Sequence, residues 1–400
     1  MTDTTANQVP MQTEKTTFAV LLAVSFCHML NDIMQSMLAA IYPMLKRDYA
    51  LDFWQIGLLT MAFQVTASLL QPAIGLAADK RPMPYSLSVG MGSTFVGLLL
   101  LATAGNYPFL VVGAMFIGFG SAIFHPESSR VARLASGGRY GLAQAIFQVG
   151  GNAGTAIGPL LAAFIVVPRG QGSVGWFSLA ALIGMIILWR VGAWYSRYSA
   201  RTASRRKVSK ELTLPRGRVA LSIAVLISLV FAKHIYMAGI SSYYTFFLIE
   251  KFGVSVQQSQ ILLFVFLGSV AAGTVLGGII GDRIGSKTVI WFSILGVLPF
   301  TLALPYANLF WTPILTVIIG LILASAFPQI VVFAQELLPG RVGMVAGMFF
   351  GFAFGLGGLG AAVLGIIADH KGIEFVYRVC AFLPMLGLLT VFLPNLKREG

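Results

Sequence analysis

The chain alternates long apolar runs with short polar breaks. Runs of about 20 apolar residues, enough to cross the hydrocarbon of a bilayer as a helix, recur along its 400 residues. The pattern predicts twelve spans, over 18–45, 53–78, 84–104, 107–134, 140–166, 174–196, 219–249, 257–281, 287–306, 309–336, 341–368 and 373–394. Each is expected to be helical, because hydrocarbon offers no water to unpaired backbone N–H and C=O groups. Composition points the same way. The chain is 57% hydrophobic and 10% charged, against about a quarter charged in a soluble domain. The fold class expected is therefore an all-α membrane protein with the lipid bilayer as its surroundings.

Charge adds orientation. The net charge of +13 would suit a nucleic-acid partner, but the basic residues fall mainly in the breaks between spans, so no nucleic acid is expected. Twelve spans bring both ends to one side. Nineteen of the Lys and Arg residues lie on that side and six on the other, with Arg190 and Lys233 inside spans. Lys and Arg are retained on the cytoplasmic side, which puts both termini in the cytoplasm. Residues 1–17 are polar, lack the shape of a cleaved signal, and are expected to form a disordered cytoplasmic tail. The basic segment 197–218 is expected to link a six-helix bundle over 18–196 to a second over 219–395. Cys27 and Cys380 are far apart, lie in apolar runs, and are read as free thiols.

The two halves repeat. Gly75 and Asp79 stand in a G-x-x-x-D pattern that returns as Gly278 and Asp282. Gly118 and Pro126 return 202 positions later as Gly320 and Pro328, and "GRYGLA" (138–143) returns as "GRVGMV" (340–345) at the same offset. A shared offset at separate places marks an internal repeat. Two parallel six-helix halves with a site between them near the midplane is a transporter architecture.

With these motifs the chain resembles the major facilitator superfamily. "GIIGDRIGSK" supplies Gly278, Asp282, Arg283, Gly285 and Lys287 of the family's loop motif, and "GLAADKRPMP" supplies Gly75, Asp79 and Lys80 but lacks the later glycine. Glycine lets helices approach closely, and the Asp can accept hydrogen bonds from a helix N-terminus across the seam. In span 5, Gly154, Gly158 and Pro159 resemble the antiporter motif of drug–proton exporters, with Ala162 and Ala163 in place of its trailing glycines. Plain helix packing is the other reading of that spacing. More narrowly, "HMLNDIMQSMLAAIYP", "FHPESSRVARLASGGRYGLAQAIFQVGGN", "ISSYYTFFL" and "AQELLPGR" resemble the fosmidomycin resistance group within the superfamily. That resemblance implies a multi-pass exporter of the bacterial inner membrane, driven by proton exchange, with a small phosphonate drug among its substrates. It calls for no cofactor beyond the coupling proton, and a monomer is expected.

Ionisable groups at membrane depth face a cavity or a partner. In span 1, His28, Asn31, Asp32 and Gln35 share one helix face at spacings of three and four. The stripe reads either as a hydrogen-bonded cluster between helices or as a proton site. An apolar surrounding disfavours a bare carboxylate, so Asp32 is the leading proton carrier, with His28 beside it. Gln64 and Gln71 on span 2, and Gln148 and Asn152 on span 5, read as cavity lining or as helix–helix bonds. On span 7, Lys233 stands about 21 Å in from residue 219, at 1.5 Å per residue, which is deep for a snorkelling lysine; His234 and Tyr244 follow it. Span 4 ends in "AIFHPESSRVAR", where Glu127 and Arg130 can pair at a spacing of three. There His125 and Glu127 read as proton-exchanging groups and Arg130 as an anion site, or Glu127 and Arg130 as a brace at the cytoplasmic gate. Arg130, Lys233 and His125 together would favour an anionic substrate.

An uptake symporter for an organic anion or phosphonate is the alternative use of this fold, and a non-transporting receptor a third. No phosphate-binding loop, metal-ligand spacing or nucleophile–base arrangement is found in the sequence, so no enzyme activity and no metal are expected.

Overall fold

The computed structural model describes residues 16–51, 53–203 and 214–396. Residues 1–15 of the expected tail and 204–213 of the expected linker lie outside them. Every regular element among the described residues is a helix. Eleven stretches are long and apolar enough to cross a membrane: Phe18–Ala40, Leu58–Lys80, Ser86–Thr103, Tyr107–Ala135, Tyr140–Arg169, Gln171–Ala200, Arg216–Ile240, Ile261–Ile284, Ser286–Tyr306, Trp311–Leu337 and Ile373–Phe392. These are spans 1–10 and 12. Span 11 is the helix Val342–Lys371, whose described apolar stretch is Val342–Ala353.

The ends are set by local chemistry. Span 4 starts on Asn106, whose side chain accepts the Phe109 N–H at 3.3 Å. The helix leading into span 8 starts on a reciprocal capping box between Ser255 and Gln258, which satisfies two backbone donors that the first turn leaves open. The helix of span 6 runs on to Ala203 and that of span 7 begins at Arg216, so both enter the segment expected as linker. Arg is a good helix former, and it continues the turns past the apolar run. Thr16 and Thr17 are likewise ordered, not part of a loose tail: the Thr17 N–H donates to Ala135 O at 2.9 Å and the Thr16 hydroxyl to Ser136 O at 2.8 Å.

The outer surface is apolar. Leu22, Leu69, Phe164, Ile186, Trp189, Leu359, Ile366 and Val391 all point outward, an exposure that lipid tolerates and water does not. Within the first half, span 1 packs on span 5 and span 4 on spans 2 and 3; the second half pairs span 7 with 11 and span 8 with 10. The halves meet along two seams, span 2 against span 11 and span 5 against span 8.

Each seam closes at the face that holds both described ends. Asp282 accepts the N–H groups of Gly141 and Leu142 at 2.9 and 2.8 Å. Asp79 accepts those of Gly343 and Met344 at 3.0 and 2.9 Å. The acceptors are repeat equivalents, and so are the donors. In both, a carboxylate sits on the first turn of a helix, where backbone N–H groups have no helical partner and the dipole favours negative charge. Glycine makes the approach possible. A methyl group on Gly278 would stand 2.6 Å from Gly141 O, and one on Gly343 would stand 2.9 Å from Gly75 O. Further along the same stripe of span 11, Gly347 and Gly351 still touch the backbone of Gln71 and Ser68, whereas Gly355 meets nothing within 4 Å. Along this seam spans 2 and 11 are therefore in contact from the terminal face as far as Ser68 and Gly351.

Each aspartate makes two charge-assisted bonds of about 1.5–3 kcal/mol, so Asp79→Ala or Asp282→Ala should shift the balance toward a state open at the terminal face by tenfold or more. Spin labels at positions 81 and 341 should show a longer distance appearing in either variant. An unchanged distance distribution in both would contradict the lock.

Candidate functional site

The polar stripe of span 1 faces inward, between spans 4 and 5. Three glycines bring span 5 against it. A methyl on Gly154 would meet Asp32 Cβ at 3.0 Å, and Gly150 and Gly158 touch Ser25 and Ser36. The antiporter-like glycines thus form the groove in which the Asp32 turn lies. Ser36 fastens that turn by donating to Asp32 O at 2.7 Å.

Within the groove, His28, Asp32 and His125 form a buried triangle. His28 Nε2 lies 3.3 Å from His125 Nε2 and 3.4 Å from Asp32 Oδ2; His125 Nε2 lies 3.7 Å from Asp32 Oδ1. The tautomers follow from the other ring nitrogens. His28 Nδ1 is 2.7 Å from Phe147 O, and His125 Nδ1 is 3.0 Å from Ser121 O. A carbonyl oxygen only accepts, so each Nδ1 carries hydrogen and each neutral ring aims its Nε2 lone pair at the other. Two lone pairs and a carboxylate at this range repel unless a cation stands among them. Asn31 Nδ2 and Gln35 Nε2 donate to Asp32 Oδ1 at 3.0 and 3.2 Å, and the Ser121 hydroxyl donates to Gln35 Oε1 at 3.0 Å. The walls are aromatic: Phe147 stacks on His28 at 4.1 Å, and Phe350 of the second half lies 5.4 Å from His125.

The structure separates residues that are close in sequence. His125 joins Asp32, whereas Glu127, roughly 200° further around the helix at 100° per residue, turns toward the terminal-face lock. Glu127 accepts from Ser86 at 3.3 Å and lies 3.5 Å from Arg130, and Arg130 lies 3.9 Å from Asp79 and donates to Ala78 O. Arg130 and Glu127 thus brace the seam beside Asp79, and the anion-attracting grouping of Arg130 with His125 and Lys233 does not form. One turn on, Arg133 donates to Gln335 Oε1 at 3.1 Å, and Gln335 donates to Ser129 Oγ at 3.2 Å. This ties span 4 to its repeat equivalent, span 10.

The remaining candidates scatter. Gln71 is fully buried and donates to its own helix at Ala67 O, 2.6 Å. Gln148 is buried, Gln64 half-buried and Asn152 exposed. Tyr244 bonds Thr316 at 3.0 Å within the second half, so its hydroxyl is already satisfied. Lys80 and Arg283 are exposed, Gly285 has φ +92° at a turn, and Lys287 donates to Leu393 O at 2.6 Å. Pro159 is exposed near the end of a helix that loosens into a π turn over Ala162–Val166. Lys233 is buried in the second half, its ammonium 5.0 Å over the Phe327 ring, and His234 meets that ring edge-on at 5.1 Å. Among the described residues no carboxylate pairs with Lys233. Phe327 and Phe350 touch at 5.4 Å, so an aromatic bridge runs from the His125 side of the site to Lys233.

A family model described as Major Facilitator Superfamily matches residues 24–359 and 226–400. The chain belongs to the major facilitator superfamily. This transporter is 59% identical over 385 residues, 96% of its length and 95% of the relative's, to the fosmidomycin resistance protein of Escherichia coli (strain K12). It is 41% identical over 95% of its length and 94% of the relative's to the uncharacterized MFS-type transporter YfnC of Bacillus subtilis (strain 168). Among solved structures it resembles FucP, crystallised in the outward conformation, with a TM-score of 0.72 at 16% identity over 95% of this chain and 99% of that one. It likewise resembles the human organic anion transporter MFSD10, with a TM-score of 0.71 at 17% identity over 94% and 99%. At those identities the structures speak for the fold of the transporter alone.

Ser121, Phe147, Phe327, Phe350 and Gln335 enter the site or its bracing without having stood out in the sequence. Only Ser121, four residues before His125 on the same helix face, carried a readable signal. Gly151 is a further tight point: a methyl there would stand 2.5 Å from His28 Nε2 and 2.9 Å from Asp32 Oδ2. Gly151→Val should therefore push the triangle apart, at a cost of about 1–3 kcal/mol from overpacking, and abolish transport in a membrane-inserted protein. Transport at the parental rate would contradict the placement of the triangle.

Proposed function

We propose that this transporter exports small antibiotics, fosmidomycin or a related phosphonate among them, across the bacterial inner membrane in exchange for protons. The observation that carries the reading is the buried His28–Asp32–His125 triangle, in a chain so similar to a fosmidomycin resistance protein. The triangle needs one positive charge to be stable, and a proton is the smallest cation that fills it.

Both termini lie in the cytoplasm, following the excess of Lys and Arg on their side. The described state is then closed toward the cytoplasm, and protons load the triangle from the periplasm. Asp32, with a side-chain exposure of 7%, is the least buried of the three. Opening toward the cytoplasm breaks the Asp79 and Asp282 locks and admits the drug between the halves. An anionic drug is held by Lys233, the cation at the far end of the Phe327–Phe350 bridge. Drug and proton each need only favour one state to drive alternating access. The transporter works as a monomer, since each chain holds both halves of the path.

Asp32→Asn keeps the size of the side chain and removes its charge. It should abolish resistance to fosmidomycin in a pump-deficient host while leaving purified protein able to bind the drug. Lys233→Ala should weaken drug binding about 10- to 100-fold, the loss of one charge-assisted contact of about 1.5–3 kcal/mol. Parental resistance in Asp32→Asn, or in wild-type cells whose proton gradient has been collapsed, would contradict proton coupling.

A further inference from the structure

The triangle also has the geometry of a metal site. His28, Asp32 and His125 each offer one donor atom, and the three atoms lie within 4.8 Å of one another. Zinc holds imidazole nitrogen and carboxylate oxygen at about 2.0–2.1 Å in a tetrahedron. Two such ligands then stand roughly 3.3–3.4 Å apart. The two histidine nitrogens already stand at that spacing, 3.3 Å, while Asp32 divides its oxygens between them, Oδ2 3.4 Å from His28 and Oδ1 3.7 Å from His125. A turn of the Asp32 carboxylate that brings one oxygen toward both nitrogens completes the coordination sphere.

The surroundings fit as well as the distances. A ligating histidine usually donates its second N–H to a carbonyl or carboxylate, which fixes the tautomer and the ring's aim. Both histidines do this, through Phe147 O and Ser121 O. A neutral ring held in this way presents an unprotonated Nε2, the form that binds metal. Asp32 is in turn held by Asn31 and Gln35. Three protein ligands leave a fourth position to water, and a mixed nitrogen and oxygen set suits zinc, cobalt or nickel rather than calcium or magnesium.

We infer that His28, His125 and Asp32 form a binding site for a divalent transition metal of the zinc class, clamping span 1 to span 4. The site itself does not depend on the transport reading. Its consequence does: a metal on these lone pairs excludes the coupling proton, so zinc blocks exchange.

The full-length protein, purified in detergent and stripped with chelator, should bind one Zn2+ per chain. X-ray absorption at the zinc edge should show two imidazole nitrogens and a carboxylate oxygen at about 2.0–2.1 Å. The wild type alone decides this. His125→Gln and Asp32→Asn should each weaken Zn2+ binding by tenfold or more, whereas His370→Ala, on the exposed end of span 11, should leave it unchanged. Failure to bind stoichiometric Zn2+, or a zinc environment lacking two imidazoles, would overturn the site. Proton exchange measured in metal-free vesicles tests the transport reading separately. Zinc binding with no effect on that exchange would overturn the blocking role and leave the site standing.

Discussion

Two carboxylates on two helix N-termini hold this molecule in the state described. Asp79 reaches span 11 and Asp282 reaches span 5, and each takes a pair of N–H groups that an isolated helix leaves without partners. The arrangement is reversible by construction. Backbone donors at a helix start can be satisfied by water once the seam opens, so the closed state gains from the contact without the open state being ruinous. Glu127, Arg130 and the Arg133–Gln335–Ser129 chain then thicken the same face, all within reach of the first lock or of the repeat axis. The glycines of spans 2, 5, 8 and 11 are what let carboxylate and helix end meet.

Away from the two locks, the buried titratable cluster lies in the first half, between spans 1, 4 and 5. A buried aspartate between two histidines is costly without a cation. The structure offsets part of that cost with five neutral partners: Asn31, Gln35, Ser121 and two backbone carbonyls. In the proposed account a proton or a metal offsets the rest. The second half answers with a buried cation, Lys233, over Phe327. In the proposed export, the opposite charge preferences on either side of the aromatic bridge would serve as a proton side and an anion side. That asymmetry has grown on a symmetric frame. Pro126 and Pro328 are shared, while His125 has Phe327 as its repeat equivalent.

The fold was legible because lipid is a strict solvent. Each apolar run had to be a helix of about the length seen, and the 202-residue offset located the repeat before any contact was known. Local chemistry shifted the ends, as at Ala203 and Arg216, where helix propensity carries turns beyond the membrane. The site was legible only in part. Spacing placed His28, Asn31, Asp32 and Gln35 on one face, and the resemblance to the family's loop motif implied the aspartates as helix-end acceptors. Spacing could not bring His125 to His28, 97 residues away, nor divide His125 from Glu127, because rotation about span 4 matters only once its neighbours are placed. The metal-like geometry was hidden for the same reason: its donors come from two spans, with no motif joining them.

The most direct test of proton-coupled export uses purified transporter in sealed liposomes holding a pH-sensitive dye. An inward fosmidomycin gradient should drive protons out of the lumen, and a protein carrying Asp32→Asn should leave the dye unchanged under the same gradient. Protons entering with the drug, or drug movement with no proton movement, would contradict the account.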